Sequence, residues 1–150
     1  MTRSKRSVLT VAALAAMAAS VAIVGVVNSR ATAADKPASK LAKDLVGTWA
    51  LAGAPGDVKA PPAKGARLKF ITEKCWTVTE ADPDTGVVVF HHGGTFVLDG
   101  NKYSENIVYA NDSTKELIGK TFHFKLKVEG DTLTQEGIDN PFNEVWKRVR

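Results

Sequence analysis

Thr121-Phe122-His123-Phe124-Lys125-Leu126-Lys127-Val128 alternates without a break between polar and apolar side chains. Successive side chains on a strand point to opposite faces. Phe122, Phe124, Leu126 and Val128 therefore line one face, and Thr121, His123, Lys125 and Lys127 the other. That is the pattern of a half-buried β-strand, and the neighbouring sequence keeps the same period. Lys102–Tyr109 alternates too, placing Tyr103, Glu105, Ile107 and Tyr109 on one face. Turn residues punctuate such runs at Asp82-Pro83-Asp84-Thr85-Gly86, Asp99-Gly100-Asn101, Glu129-Gly130-Asp131 and Gly137–Pro141. Strands are predicted near 46–52, 66–72, 75–81, 87–92, 94–98, 102–109, 120–128, 131–136 and 143–149. Closure removes the unpaired edges of so long a meander. The expected fold is all-β, an antiparallel up-and-down barrel of about eight to nine strands.

Two connections break the rhythm. Gly53–Gly65 contains Pro55, Pro61 and Pro62 and is too long for a hairpin turn. Loops of that length are functional or lack fixed structure, and a lid over a barrel mouth is one expectation here. Asn111–Gly119 holds Ser113-Thr114-Lys115-Glu116, the spacing of a capping box, ahead of Leu117, Ile118 and Gly119. It predicts one or two helical turns closing a barrel end.

Composition divides the chain at about residue 33. Residues 8–27 hold 17 apolar residues of 20, broken only by Thr10, Ser20 and Gly25. Arg3, Lys5 and Arg6 precede this run, and Ala31-Thr32-Ala33 supplies small residues after it. Positive n-region, apolar h-region and small-residue site form the layout of a secretory signal peptide. About 20 apolar residues also suffice to span a bilayer, so an uncleaved anchor helix is the competing reading. Either one exports the rest, to the periplasm, the cell envelope or the medium. Residues 1–33 are thus a signal peptide or N-terminal membrane anchor, 34–44 a polar tether and short helical turn, and 45–150 the barrel domain. Leu41 and Leu45, four apart, mark the helical turn.

Arg3, Lys5, Arg6 and Arg30 account for the net charge of +4, because the rest carries 16 basic against 16 acidic residues. A nucleic-acid partner, which needs a basic face on the folded part, loses its support. Membrane contact is expected only through an uncleaved N-terminal segment. The single Cys75 excludes an internal disulfide and a cysteine-built zinc site.

Leu45-Val46-Gly47-Thr48-Trp49 sets a helical turn before Gly-x-Trp at the start of the first strand. This arrangement resembles the lipocalin/calycin superfamily. His92-Gly93-Gly94-Thr95-Phe96 to Asp99-Gly100, Tyr103-Ser104-Glu105, Val128-Glu129-Gly130-Asp131-Thr132 and the closing Glu144-Val145-Trp146-Lys147-Arg148 are similar to bacterial exported lipocalin-like domains of unassigned function. The resemblance covers roughly residues 40–150. It implies a cup-shaped lipocalin-like barrel with the first long loop at its mouth. It also implies a closure in which Gly47, Trp49 and Arg148 meet. The chain lacks the disulfide and long C-terminal helix of classical lipocalins, so no particular ligand carries over.

Glu105 shares a face with Tyr103, Ile107 and Tyr109, where a carboxylate must be paired or hydrogen-bonded. It is either a lumen group that orients a ligand or a carboxylate satisfied by a nearby Tyr, Lys or Arg. His92 is in phase with Phe90, whereas the adjacent His91 points the other way. No spacing supports a metal site, and no cofactor is expected. No nucleophile triad or phosphate loop is present. Phe70, Trp76, Phe90, Phe96, Tyr103, Tyr109, Phe122 and Phe124 come from several strands and either fill the interior or line a pocket. With His92 and Glu105 they are the lumen candidates. Three functions fit: a module holding a small apolar or amphipathic ligand, a protein–protein or inhibitor module using the long loop and rim, and an enzyme acting through Glu105 and His92. A lumen of about 300 Å³ or more favours the first.

Overall fold

The computed structural model describes residues 39–150. The leader and most of the tether lie outside the described residues. A single helical turn, α1 (Lys40–Leu45), opens the fold, with the Ser39 hydroxyl accepting from the Ala42 amide at 3.1 Å. Nine strands follow: β1 (Gly47–Ala54), β2 (Asp57–Val58), β3 (Leu68–Ile71), β4 (Cys75–Ala81), β5 (Val88–Asp99), β6 (Lys102–Ala110), β7 (Thr121–Glu129), β8 (Thr132–Ile138) and β9 (Asn143–Arg148). Apart from β2, each pairs antiparallel with the next in sequence, and β9 pairs back onto β1 with Trp49 opposite Arg148. The result is a closed eight-stranded barrel with β2 appended to β1 as a short hairpin. Closure leaves no long strand edge exposed, which is the physical reason a meander of these strands curls up.

The inward face carries the core. Trp49, Ile71, Tyr103, Ile107 and Leu133 pack there, and Leu45 of α1 packs against them. Each buried ring or branched side chain stabilises the fold by roughly 1.5–3 kcal/mol. At the closed end the Trp49 indole donates to the Leu45 carbonyl at 2.9 Å. The Arg148 guanidinium stacks 4.0 Å from the Trp49 ring and donates to the carbonyls of Val46 and Asp44. Gly47 has φ +148°, and a Cβ there would stand 2.5 Å from Arg148 Nη1. Arg148 thus joins the last strand to the chain just before the first.

Several expectations need correction. The strands expected at 87–92 and 94–98 are one strand, β5, running through Gly93-Gly94. Opposite that pair, β6 carries one extra residue: Gly94 pairs with Ile107 and Gly93 with Tyr109, leaving Val108 as a bulge. A Cβ on Gly94 would fall 2.0 Å from the Asn106 carbonyl oxygen, so the close approach needs glycine. The bulge flips the alternation. Tyr103, Glu105 and Ile107 point inward as expected, but Tyr109 points outward and packs over Gly93 beside His91, with ring centroids 5.7 Å apart. Phe70 also faces outward, because Lys69 and Ile71 are the buried residues of β3.

The long loop is not a lid. Its amide at Lys59 donates to Ala52 O at 2.7 Å, and Pro61, Pro62 and Ala63 share a groove with Ala50 on the outer wall. The helical expectation at 111–119 is reduced to one 3-10 turn, Lys115–Leu117, without a side-chain cap. The hydroxyls that suggested a capping box are engaged elsewhere. Ser113 donates to Val89 O and Thr114 to His91 O, each at 2.7 Å. They occupy the carbonyls of β5 where it runs past the end of β6.

Candidate functional site

The barrel encloses a cavity of about 330 Å³. Its deep wall is built by inward residues of β3, β4, β5 and β8: Lys69, Trp76, Val78, His92 and Gln135. Glu105 of β6, Phe124 of β7 and Trp146 of β9 complete it, while Arg67, Phe90, Phe122, Phe142 and Glu144 stand with Ser113–Thr114 and Glu116–Leu117 as the remaining lining. No lining residue comes from Gly53–Gly65; the β6–β7 connection supplies that part of the wall.

Of the lumen candidates named from the sequence, Trp76, Phe90, His92, Glu105, Phe122 and Phe124 meet around this cavity. Phe96 and Tyr103 belong to the packed core instead, with ring centroids 5.0 Å apart, and do not reach the cavity. Phe70 and Tyr109 are outside the barrel, for the reasons of phase given above.

The polar centre of the lumen is an ion pair. Glu105 (4 % exposed) accepts from Lys69 Nζ (3 % exposed) at 3.0 Å, and Lys69 donates at 2.9 Å to the side-chain oxygen of Gln135. The ammonium also sits 4.7 Å from the Trp146 ring centre and 5.5 Å from that of Trp76. Taking an ammonium or carboxylate out of water costs several kcal/mol, which close pairing and hydrogen bonds offset. Burial lifts the Glu105 carboxyl above the usual carboxylate range, and Lys69 pulls it part of the way back.

His92 lies beside this pair, edge-on to Trp76 at 5.5 Å and to Phe90 at 4.9 Å. Burial, with the positive charges of Lys69 and Arg67 second, pushes its imidazole down to about 4. The ring is therefore neutral at physiological pH, with one donor and one acceptor nitrogen. Its Nδ1 is buried and has no hydrogen-bond partner among the described residues. Burial and the Glu105 charge push the Tyr103 phenol well above its ordinary value. Arg67 lies 4.0 Å from the Phe90 ring centre and is held by Glu80 at 2.7 Å.

Sequence reasoning missed Lys69 and Gln135. Gln135 was legible, since it is in phase with Leu133 on a strand whose apolar face is inward. Lys69 was not, because a lysine between Leu68 and Phe70 reads as the solvent side of its strand. Only the register that places it within reach of Glu105 makes its burial tolerable.

The geometry matches a known architecture. A solved structure of a lipocalin-like protein from Bacteroides uniformis superposes with a TM-score of 0.51 at 15% sequence identity, covering 71% of this chain and 99% of that one. The fold is lipocalin-like. No protein-family model and no curated protein matches the chain. In lipocalin-like terms, the Gly47–Trp49–Arg148 cluster lies at the closed end and the ion pair within the cup.

Proposed function

We propose that the protein is an exported binding module that holds a small, partly apolar ligand in the lumen of its lipocalin-like barrel. The observation that carries this reading is the cavity of about 330 Å³, walled by aromatic rings and lined by His92, whose buried Nδ1 has no hydrogen-bond partner among the described residues. Ligand sites combine apolar walls with a few convergent polar groups, and a buried polar atom without a partner is what a ligand would satisfy. The volume corresponds to about eleven waters at roughly 30 Å³ each, enough for a molecule of one or two rings. The leader supports export, and mass spectrometry of the mature N-terminus tests whether cleavage follows Ala33.

A second reading, a partner-binding module, draws on the groove between the long loop and the outer wall, about 550 Å³ and lined by Ala50, Pro61, Pro62, Leu68 and Val149. Native mass spectrometry of protein purified from its own envelope separates the two. A retained low-mass species supports the lumen reading. A retained polypeptide with an empty lumen overturns it in favour of the second.

A further inference from the structure

We propose that the lumen takes an uncharged aromatic molecule bearing a phenol-type hydroxyl, with its ring among the indoles and phenyls and its hydroxyl on His92. It discriminates against carboxylates, fatty acids included. This rests on the lumen being a binding site, and it follows from which charges and hydrogen-bonding groups are already spent.

A carboxylate entering the cup needs a countercharge, and both cations that line the cavity, Lys69 and Arg67, already face a carboxylate. Lys69 is committed to Glu105 at 3.0 Å and Gln135 at 2.9 Å. Drawing it onto a ligand would strand a buried carboxylate, which is strongly unfavourable. Arg67 donates to Glu80 through Nε, and that carboxylate and the Phe90 ring under the guanidinium offset its charge. The other charged lining residues, Glu116 and Glu144, have no ion-pair partner among the described residues and repel an anion. An ammonium ligand fares little better. One Glu144 oxygen accepts from the Trp146 indole at 3.1 Å, and Glu116 is exposed to water, where its attraction is weak.

Among the neutral lining groups, His92 is unspent. A neutral His92 ring carries a donor and an acceptor nitrogen, and its buried Nδ1 has no hydrogen-bond partner among the described residues. A hydroxyl both donates and accepts, so it can satisfy an imidazole in either tautomer. Rings from four separate strands, Trp76, Phe90, Phe124 and Trp146, line the cavity and favour a flat ring over a flexible chain.

The test is calorimetric titration of the full chain at neutral pH with 2-naphthol, 2-naphthoate, 2-naphthylmethylammonium and laurate. The three naphthalenes share a ring and differ in charge. The expected result is that 2-naphthol binds about tenfold or more tighter than each of the others. His92→Leu is expected to weaken 2-naphthol about tenfold, with His92→Gln, which keeps a donor and an acceptor, close to the parent. Equal or tighter binding of naphthoate, laurate or the ammonium compound overturns the proposal and leaves the lumen reading standing. Parental affinity in His92→Leu overturns the role of His92. Failure of all four to bind overturns the lumen reading as well. Should His92→Leu not fold, the four-compound comparison on the unaltered chain decides alone.

Discussion

Glu105→Gln keeps the length and shape of the side chain and removes its charge, leaving the Lys69 ammonium buried with neutral neighbours. Both partners are almost inaccessible, 4 % and 3 % exposed, so water cannot take over the role of the missing carboxylate. Gln135 still accepts one of the three ammonium protons and the Trp146 ring lies 4.7 Å away, but neither supplies a countercharge. Breaking such a pair from one side costs about 3–5 kcal/mol. For a folded part of this size that lowers the melting temperature by about 10–20 °C. Urea denaturation followed by tryptophan fluorescence measures it. Lys69→Met combined with Glu105→Leu removes both charges together. That pair is expected within about 1–2 kcal/mol of the parent, or above it, because neither desolvation penalty remains. Added salt is expected to change the single-variant loss little, since a buried pair is poorly screened. A Glu105→Gln protein within about 1 kcal/mol of the parent refutes the reasoning: the carboxylate would then contribute nothing as a countercharge.

Three further outcomes are expected. His92 has a folded value of about 4, below the ordinary 6.5, so the folded state binds fewer protons than the unfolded one between those values. Its contribution is present above pH 6.5 and lost as pH falls towards 4, about 2 kcal/mol once solvent in the open cavity is allowed for. The His92 part is read as the difference between parent and His92→Gln in urea titrations at several pH values. Trp49→Ala is expected to lose about 3–5 kcal/mol and Arg148→Met about 1–3 kcal/mol, measured by thermal unfolding, the second through a lost cation–π contact and two unsatisfied carbonyls. Gly94→Ala is expected to destabilise by more than the roughly 1–3 kcal/mol of ordinary overpacking, because its Cβ meets backbone oxygen at 2.0 Å; an unchanged urea midpoint would show that β6 can move away.

The period of two along 121–128, the turn residues between runs and the Gly-x-Trp ahead of a terminal Trp-Lys-Arg were sufficient to read an antiparallel lipocalin-like barrel. Those signals are local: a strand that buries one face must alternate, and a tight turn must use glycine, asparagine or aspartate. The inward placement of Glu105, His92, Phe122 and Phe124 was legible for the same reason. Tyr109 was lost where the pattern met a bulge, since one extra residue reverses every face beyond it and Gly93-Gly94 does not announce whether it turns the chain or kinks it. The long loop was recognisable as unusual, yet its seat on the outer wall rather than over the mouth depends on Ala50 and Ala52 offering small buried side chains there. Lys69 is the clearest case of what only the tertiary structure decided. A lysine belongs outside by every local criterion, and it is inside because β3 and β6, 36 residues apart at Lys69 and Glu105, bring an ammonium to a carboxylate within 3.0 Å. Charge compensation between distant strands is a property of register around the closed barrel, and no window of sequence contains it.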